Sequence, residues 1–148
     1  MHDNLRKIGG VRYNDEERAF AEKISESLGV GNYIGMETRI MPFEMREGRG
    51  STDVGDVSWT VPTVGLRTST WVPGTAAHSW QAIAAGGTSI GTKGMRVASK
   101  ALALTARDLF LDAELREAGR VEFEQRRGAD FQYEALLGER KPPLDYRK

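Results

Sequence analysis

The sequence predicts an α/β fold, present here as a share of a larger layered domain. Three observations lead to that reading. The chain has 148 residues, the length of one domain with a core of useful size. Apolar residues recur at helical spacing over 15–28 and 90–111, and alternate with polar ones over 63–72. The strands so predicted are too few to complete the sheet of a three-layer domain by themselves.

The predicted order is helix, mixed loop, strand, helix, helix, helix. Asn14 caps the first helix, and Glu17 three residues on makes a capping box. Asp15, Glu16 and Glu17 put negative charge at the positive end of the helix dipole. Phe20, Ala21, Ile24 and Leu28 form one apolar stripe, and Gly29 stops the helix. Residues 37–43 (ETRIMPF) suit a short strand with Pro42 at its edge or end. A polar, glycine-rich loop over 46–57 leads into a helical turn near Val57–Trp59. Over 63–72, Val64, Leu66, Thr68, Thr70 and Val72 share one face, and Thr63, Gly65, Arg67, Ser69 and Trp71 the other. Pro73-Gly74 ends this strand, and His78 stands just before a short helix, Ser79–Ala85. Gly86-Gly87 breaks the chain before a long helix, Ile90–Leu111. Its expected buried stripe is Val97, Ala98, Ala101, Leu102, Thr105 and Leu109. Asp112 can cap a last helix to about Arg127, with Leu115 and Ala118 inward and Glu122 and Arg126 paired along its surface. The tail around Pro142-Pro143 reads as irregular.

Composition narrows the function classes. Lys plus Arg equals Asp plus Glu at 21 each, so a basic footprint for nucleic acid is not supported at the level of the whole chain. No apolar run is long enough to cross a bilayer, and the first six residues lack the apolar core of a signal peptide. The chain has no cysteine, which excludes disulfides, thiolate zinc sites and a cysteine nucleophile, and fits a cytoplasmic protein. Its two histidines are His2, in a terminus expected to be loose, and His78. A histidine-rich metal site cannot be built from this chain alone. A Ser-His-Asp triad would need His78 as its base, and no Gly-x-Ser-x-Gly elbow is present.

Two segments are candidates for chemistry. In Gly50-Ser51-Thr52-Asp53-Val54-Gly55-Asp56, small residues let a backbone approach a ligand, and N–H and hydroxyl groups can hold an anionic group such as a carboxylate. The same residues equally suit a helix cap. His78 in Gly74-Thr75-Ala76-Ala77-His78-Ser79-Trp80-Gln81 stands past the C-terminal end of the predicted strand, where open α/β sheets place ligands. A neutral imidazole there can bind a metal, or the residue can be a plain surface histidine. Trp59, Trp71 and Trp80 suit an aromatic wall or core packing. Gly91-Thr92-Lys93-Gly94-Met95 is a weak candidate for a phosphate loop at a helix start.

The run Gly50-Ser51-Thr52-Asp53-Val54-Gly55-Asp56-Val57-Ser58-Trp59-Thr60-Val61-Pro62-Thr63 resembles the amidohydrolase branch of the metallo-aminoacylase/carboxypeptidase family, nearest to the B-subunit type of aminobenzoyl-glutamate hydrolase. The block Gly74–Gln81 is similar to the same group. So are Lys93-Gly94-Met95 before an alanine-rich helix, and Asn4-Leu5, Ile8-Gly9, Tyr13, Glu16-Glu17 and Phe20-Ala21 near the start. The resemblance spans roughly residues 4–125. It implies an α/β three-layer catalytic domain of the zinc-peptidase type, interrupted by a dimerisation domain, that hydrolyses amides with two divalent metals, zinc or manganese. His78 matches the family's last metal-binding histidine. Gly50, Ser51, Thr52 and Asp53 match its substrate-side loop. Asp53 or Asp56 is the candidate carboxylate for the second ring nitrogen of His78. Thr92 stands where the family commonly has histidine, and the family has proline near Ala76.

The family's other ligands and its glutamate base have no counterpart upstream of Gly50, where Glu16-Glu17 belongs to a capped helix start. The resemblance therefore implies that residues 1–148 are the C-terminal part of the catalytic domain, without the metal-binding half or the inserted domain. The expectation is a fragment of a metal-dependent amidohydrolase acting on a small amide, such as an aminobenzoyl-glutamate or aminoacyl conjugate. Alone it would hold no catalytic residue, bind no metal and be inactive. Its expected partners are another copy of itself or the missing half, with no nucleic acid and no membrane. The alternative is a non-catalytic subunit or interaction module that completes a site with another chain.

Overall fold

The computed structural model describes residues 1–45, 50, 52–135, 138–142 and 144. Among these all regular structure is helical. In chain order it comprises α1 (His2–Ile8), α2 (Asp15–Ser27), a 3-10 turn (Met36–Thr38), α3 (Val54–Ser58), α4 (Trp80–Gly86), α5 (Ser89–Leu111) and α6 (Ala113–Arg127). The expected α/β three-layer fold is thus corrected to an all-helical one. A strand exists through its ladder with a second strand. Among the described residues nothing pairs with 63–72, whose alternation alone cannot make a sheet. That segment runs over α5 instead. Thr68 Oγ1 donates to the Gly94 carbonyl at 3.0 Å. A Cβ added at Gly94 would lie 2.3 Å from the Ser69 carbonyl oxygen. The predicted strand at 37–43 is likewise replaced by the end of the 3-10 turn and irregular chain.

The chain divides into two compact units: Met1–Glu47 with Val64–Ala113, and Gly48–Thr63 with Glu114–Lys148. The first has a core of Ala21, Ile24, Val72, Ala85 and Ile90, with Tyr13, Phe20, Ile34 and Ala84 packed around it. The capping box forms as its sequence requires. Asn14 Oδ1 accepts from the Glu17 amide, and Glu17 Oε2 accepts from the Asn14 amide, both at 2.8 Å. Glu17 then reaches α5, where Ser89 Oγ donates to its Oε1 at 2.6 Å and Lys93 forms an ion pair with Oε2.

α1 has no forerunner in the sequence reading, which expects a loose terminus. It is held by buried Asn4, whose Nδ2 donates to Asp108 Oδ2 at 2.6 Å and to Thr105 Oγ1 at 3.4 Å, both on α5. α5 buries Ile90, Gly91, Gly94, Ala101 and Thr105, while Leu102 and Leu109 of the predicted stripe are exposed. A Cβ at Gly91 would meet the Gly86 carbonyl oxygen at 2.1 Å, so the α4–α5 corner closes backbone to backbone. Gly91 and Gly94 are therefore packing glycines inside a helix and not a phosphate loop, and Lys93 is engaged by Glu17.

The second unit contains α3 and α6. Trp59 stacks on Phe131 with centroids 4.8 Å apart, and the Arg127 guanidinium lies 4.7 Å over the Phe123 ring. Arg126 pairs with Glu122 at 3.2 Å, as the spacing predicts. Leu115 and Ala118, expected inward, are exposed.

Candidate functional site

His78 lies on a turn between Pro73-Gly74 and α4, as the sequence expects, although the strand expected before it is absent. Its side chain is exposed, and its φ of 60° is the one positive value among described non-glycine residues. Such geometry crowds Cβ against the following carbonyl, and it is uncommon outside glycine, asparagine, aspartate and histidine. Both sides of the turn are anchored. The Thr75 amide donates to the Val72 carbonyl at 3.1 Å. Ser79 Oγ donates to the Ala76 carbonyl at 2.7 Å and accepts from the Ala82 amide at 3.2 Å.

α4 carries its side chains in an unusual order. Ala82 and Ala85 are buried, whereas Trp80 is 62% exposed and Ile83 80%. The expectation of tryptophan packed in the core is therefore not met, because Trp59 and Trp71 are exposed as well. Trp59 belongs to the second unit and Trp71 and Trp80 to the first.

The glycine-rich loop belongs to the second unit. Gly50, Thr52, Asp53 and Asp56 are described there, and Ser51 lies outside the described residues. Thr52 Oγ1 accepts from the Val54 amide at 3.3 Å and donates to Asp53 Oδ1 at 3.4 Å, so Thr52 serves the start of α3. Asp56 Oδ1 accepts from the Tyr133 hydroxyl at 2.9 Å. That hydrogen bond, with desolvation and the Asp56 charge, raises the Tyr133 phenol above its usual pKa. Thr52, Asp53 and Asp56 thus come together at α3, and His78 lies in the other unit. Among the described residues no three His, Asp or Glu side chains converge as a metal site. The donors among the described residues do not by themselves fit the two-metal centre that the resemblance implies.

One feature of the first unit has no sequence signal. Glu37, inside the predicted strand, is 2% exposed. Its Oε2 accepts from the Gly35 amide at 2.6 Å, while Oε1 is buried without a partner among the described residues, as is the Tyr13 hydroxyl. Desolvation, then the charges of Glu37 and Glu17, push the Tyr13 phenol well above its usual pKa. Glu37 also lines an open groove of about 840 Å³, together with Leu5, Val11, Met36, Phe43 and Leu66.

No family model and no solved structure matches the chain. Among curated proteins it is 31% identical, over 151 residues, to the B subunit of p-aminobenzoyl-glutamate hydrolase from Escherichia coli (strain K12). The chain belongs to the aminobenzoyl-glutamate hydrolase-like family. The match covers 84% of this chain and 31% of that relative, so the chain spans about a third of the length of this member of the family. No described helix is long and apolar enough to cross a membrane.

Proposed function

We propose that this chain is the portion of an aminobenzoyl-glutamate hydrolase-like enzyme that presents His78 to a site completed by other residues, and that it is inactive alone. The match to a hydrolase subunit over 84% of the chain carries the reading. The exposed, positive-φ backbone of His78 supports it locally, since strained residues cluster at functional sites. In this reading His78 is one ligand of a centre of two divalent metals, zinc or manganese, whose other donors this chain does not supply. Gly50, Ser51, Thr52 and Asp53 shape the substrate end, and the substrate is a small amide such as an aminobenzoyl-glutamate or aminoacyl conjugate. Asp56 is less suited to orienting His78, being already engaged by Tyr133.

The test is a chimera in which these residues replace the matching segment of the bacterial relative. The expected result is metal-dependent release of glutamate from p-aminobenzoyl-glutamate, abolished by His78→Ala. The 148-residue chain with zinc or manganese should release none. Turnover by the chain alone, or full turnover of the His78→Ala chimera, would overturn the reading.

A second reading is a non-catalytic module or subunit that binds another chain or a second copy of itself. The exposed apolar side chains Trp80, Ile83 and Met95 favour it. That the relative is named as a subunit is consistent with a partner.

A further inference from the structure

We propose that Ser79 is a positioning residue that holds His78 in its left-handed conformation and so sets the direction in which the imidazole leaves the chain. The proposal rests on the reading of His78 as the functional side chain of this segment.

The Ser79 hydroxyl makes two bonds that face opposite ways along the chain. Its donation to the Ala76 carbonyl, at 2.7 Å, closes the turn that contains His78. Its acceptance from the Ala82 amide, at 3.2 Å, ties that turn to the first residues of α4. α4 is in turn fixed by buried Ala82 and Ala85. On the other side, Val72 is buried and its carbonyl holds the Thr75 amide. The backbone between these anchors has little freedom left, and His78 takes up the remainder with its φ of 60°. A strained dihedral persists where its surroundings over-determine it. Among the described residues, Ser79 is the side chain whose hydrogen bonds reach across this turn. An ordinary helix cap needs the bond to Ala82 alone. The bond back to Ala76 does not serve the helix; it serves the turn.

Two measurements on the full chain test this. The first is the strong intraresidue amide–α-proton NOE that marks a positive φ, read at His78. It is expected in the unsubstituted chain and in Ser79→Thr, which keeps a hydroxyl, and is expected to vanish in Ser79→Ala. Ser79→Gly is a tolerated cap without a hydroxyl and gives the same reading should Ser79→Ala not fold. The second is a thermal double-mutant cycle with His78→Gly. If Ser79 holds the strain, losing its hydroxyl also releases that strain. Ser79→Ala then lowers Tm less with His78 present than in the His78→Gly background, by about 2–4 °C. A helix cap without a positioning role gives equal losses in both backgrounds. Equal losses, or an NOE retained in both Ser79→Ala and Ser79→Gly, would overturn the proposal. Neither measurement depends on amide hydrolysis, so failure of the functional reading leaves both results interpretable.

Discussion

Glu17 of α2 and Lys93 of α5 are ion-paired across 76 residues of sequence, and the same carboxylate takes hydrogen bonds from Ser89 and the Asn14 amide. The Glu17 side chain is 6% exposed and that of Lys93 is 35%, so the pair is partly desolvated. Replacing the Glu17 carboxylate by an amide removes the counter-charge of Lys93 and one of the two oxygens that accept from Ser89 and the Asn14 amide. Glu17→Gln is expected to cost about 1–3 kcal/mol in urea unfolding, between the values for exposed and buried pairs. Lys93→Met should cost less, because Ser89 and Asn14 remain on the carboxylate.

The same site gives a pH dependence. Desolvation works to raise the Glu17 pKa, but the hydrogen bonds from Lys93, Ser89 and Asn14, with the Lys93 charge, outweigh it and hold the group below its usual value. The folded chain therefore binds this proton less readily than the unfolded one. The stabilisation is complete above the unfolded glutamate value, about 4.3, and is lost as pH falls through the lower folded value. Urea midpoints between pH 3 and pH 6 should show this slope in the native sequence and a shallower one in Glu17→Gln.

Two glycines within helices should respond in opposite directions. A Cβ at Gly94 would lie 2.3 Å from the Ser69 carbonyl oxygen, whereas one at Gly119 of α6 meets nothing within 4 Å. Gly94→Ala forces the segment over α5 to move and should cost about 1–3 kcal/mol. Gly119→Ala gains helix propensity of up to about 1 kcal/mol and should raise helicity by circular dichroism.

In the second unit, the Tyr133 phenol is held above its usual pKa by its hydrogen bond to Asp56. Ultraviolet titration should find one tyrosine whose ionisation moves down in Asp56→Asn. A titration unchanged by that substitution would show that the bond does not persist in solution.

The exposed Trp80, Ile83 and Met95 lead to a prediction about association. Sedimentation velocity at micromolar concentration should show a dimer or larger species. Trp80→Ser with Ile83→Ser should shift the distribution toward monomer. A single monomeric species at all concentrations would remove the self-association form of the second reading.

What is legible in the sequence is what local chemistry decides. The Asn14–Glu17 box, the glycine stop and the predicted span of the long helix all follow from side chains acting on nearby backbone. α1 is invisible there because Asn4 declares itself through Asp108, 104 residues away. The segment over 63–72 misleads because alternation shows that a chain could pair, not that a partner is present. Reading the stripe of α5 by side-chain size puts Leu102 and Leu109 inside. Its buried positions instead include Gly91 and Gly94, chosen for closeness of backbone and not for apolar bulk. At the candidate site, the type and loop placement of His78 are legible. Its φ is not, because that depends on Ser79 reaching back to Ala76. Glu37 is hidden for a similar reason, since burial of a carboxylate leaves no mark on its neighbours in sequence.

The backbone contacts at Gly10, Gly91 and Gly94 reverse the usual map of tolerance. A Cβ at these positions would stand 2.4, 2.1 and 2.3 Å from a carbonyl oxygen, while the indole of Trp80 and the butyl group of Ile83 project into solvent. A saturation library selected for folding alone would return nearly blank columns at the three smallest residues and crowded ones at two of the bulkiest. Diversity at 80 and 83 would then be limited only by whatever those side chains meet in service. Comparing a library sorted for folding with one sorted for activity in the chimera would separate these two pressures position by position.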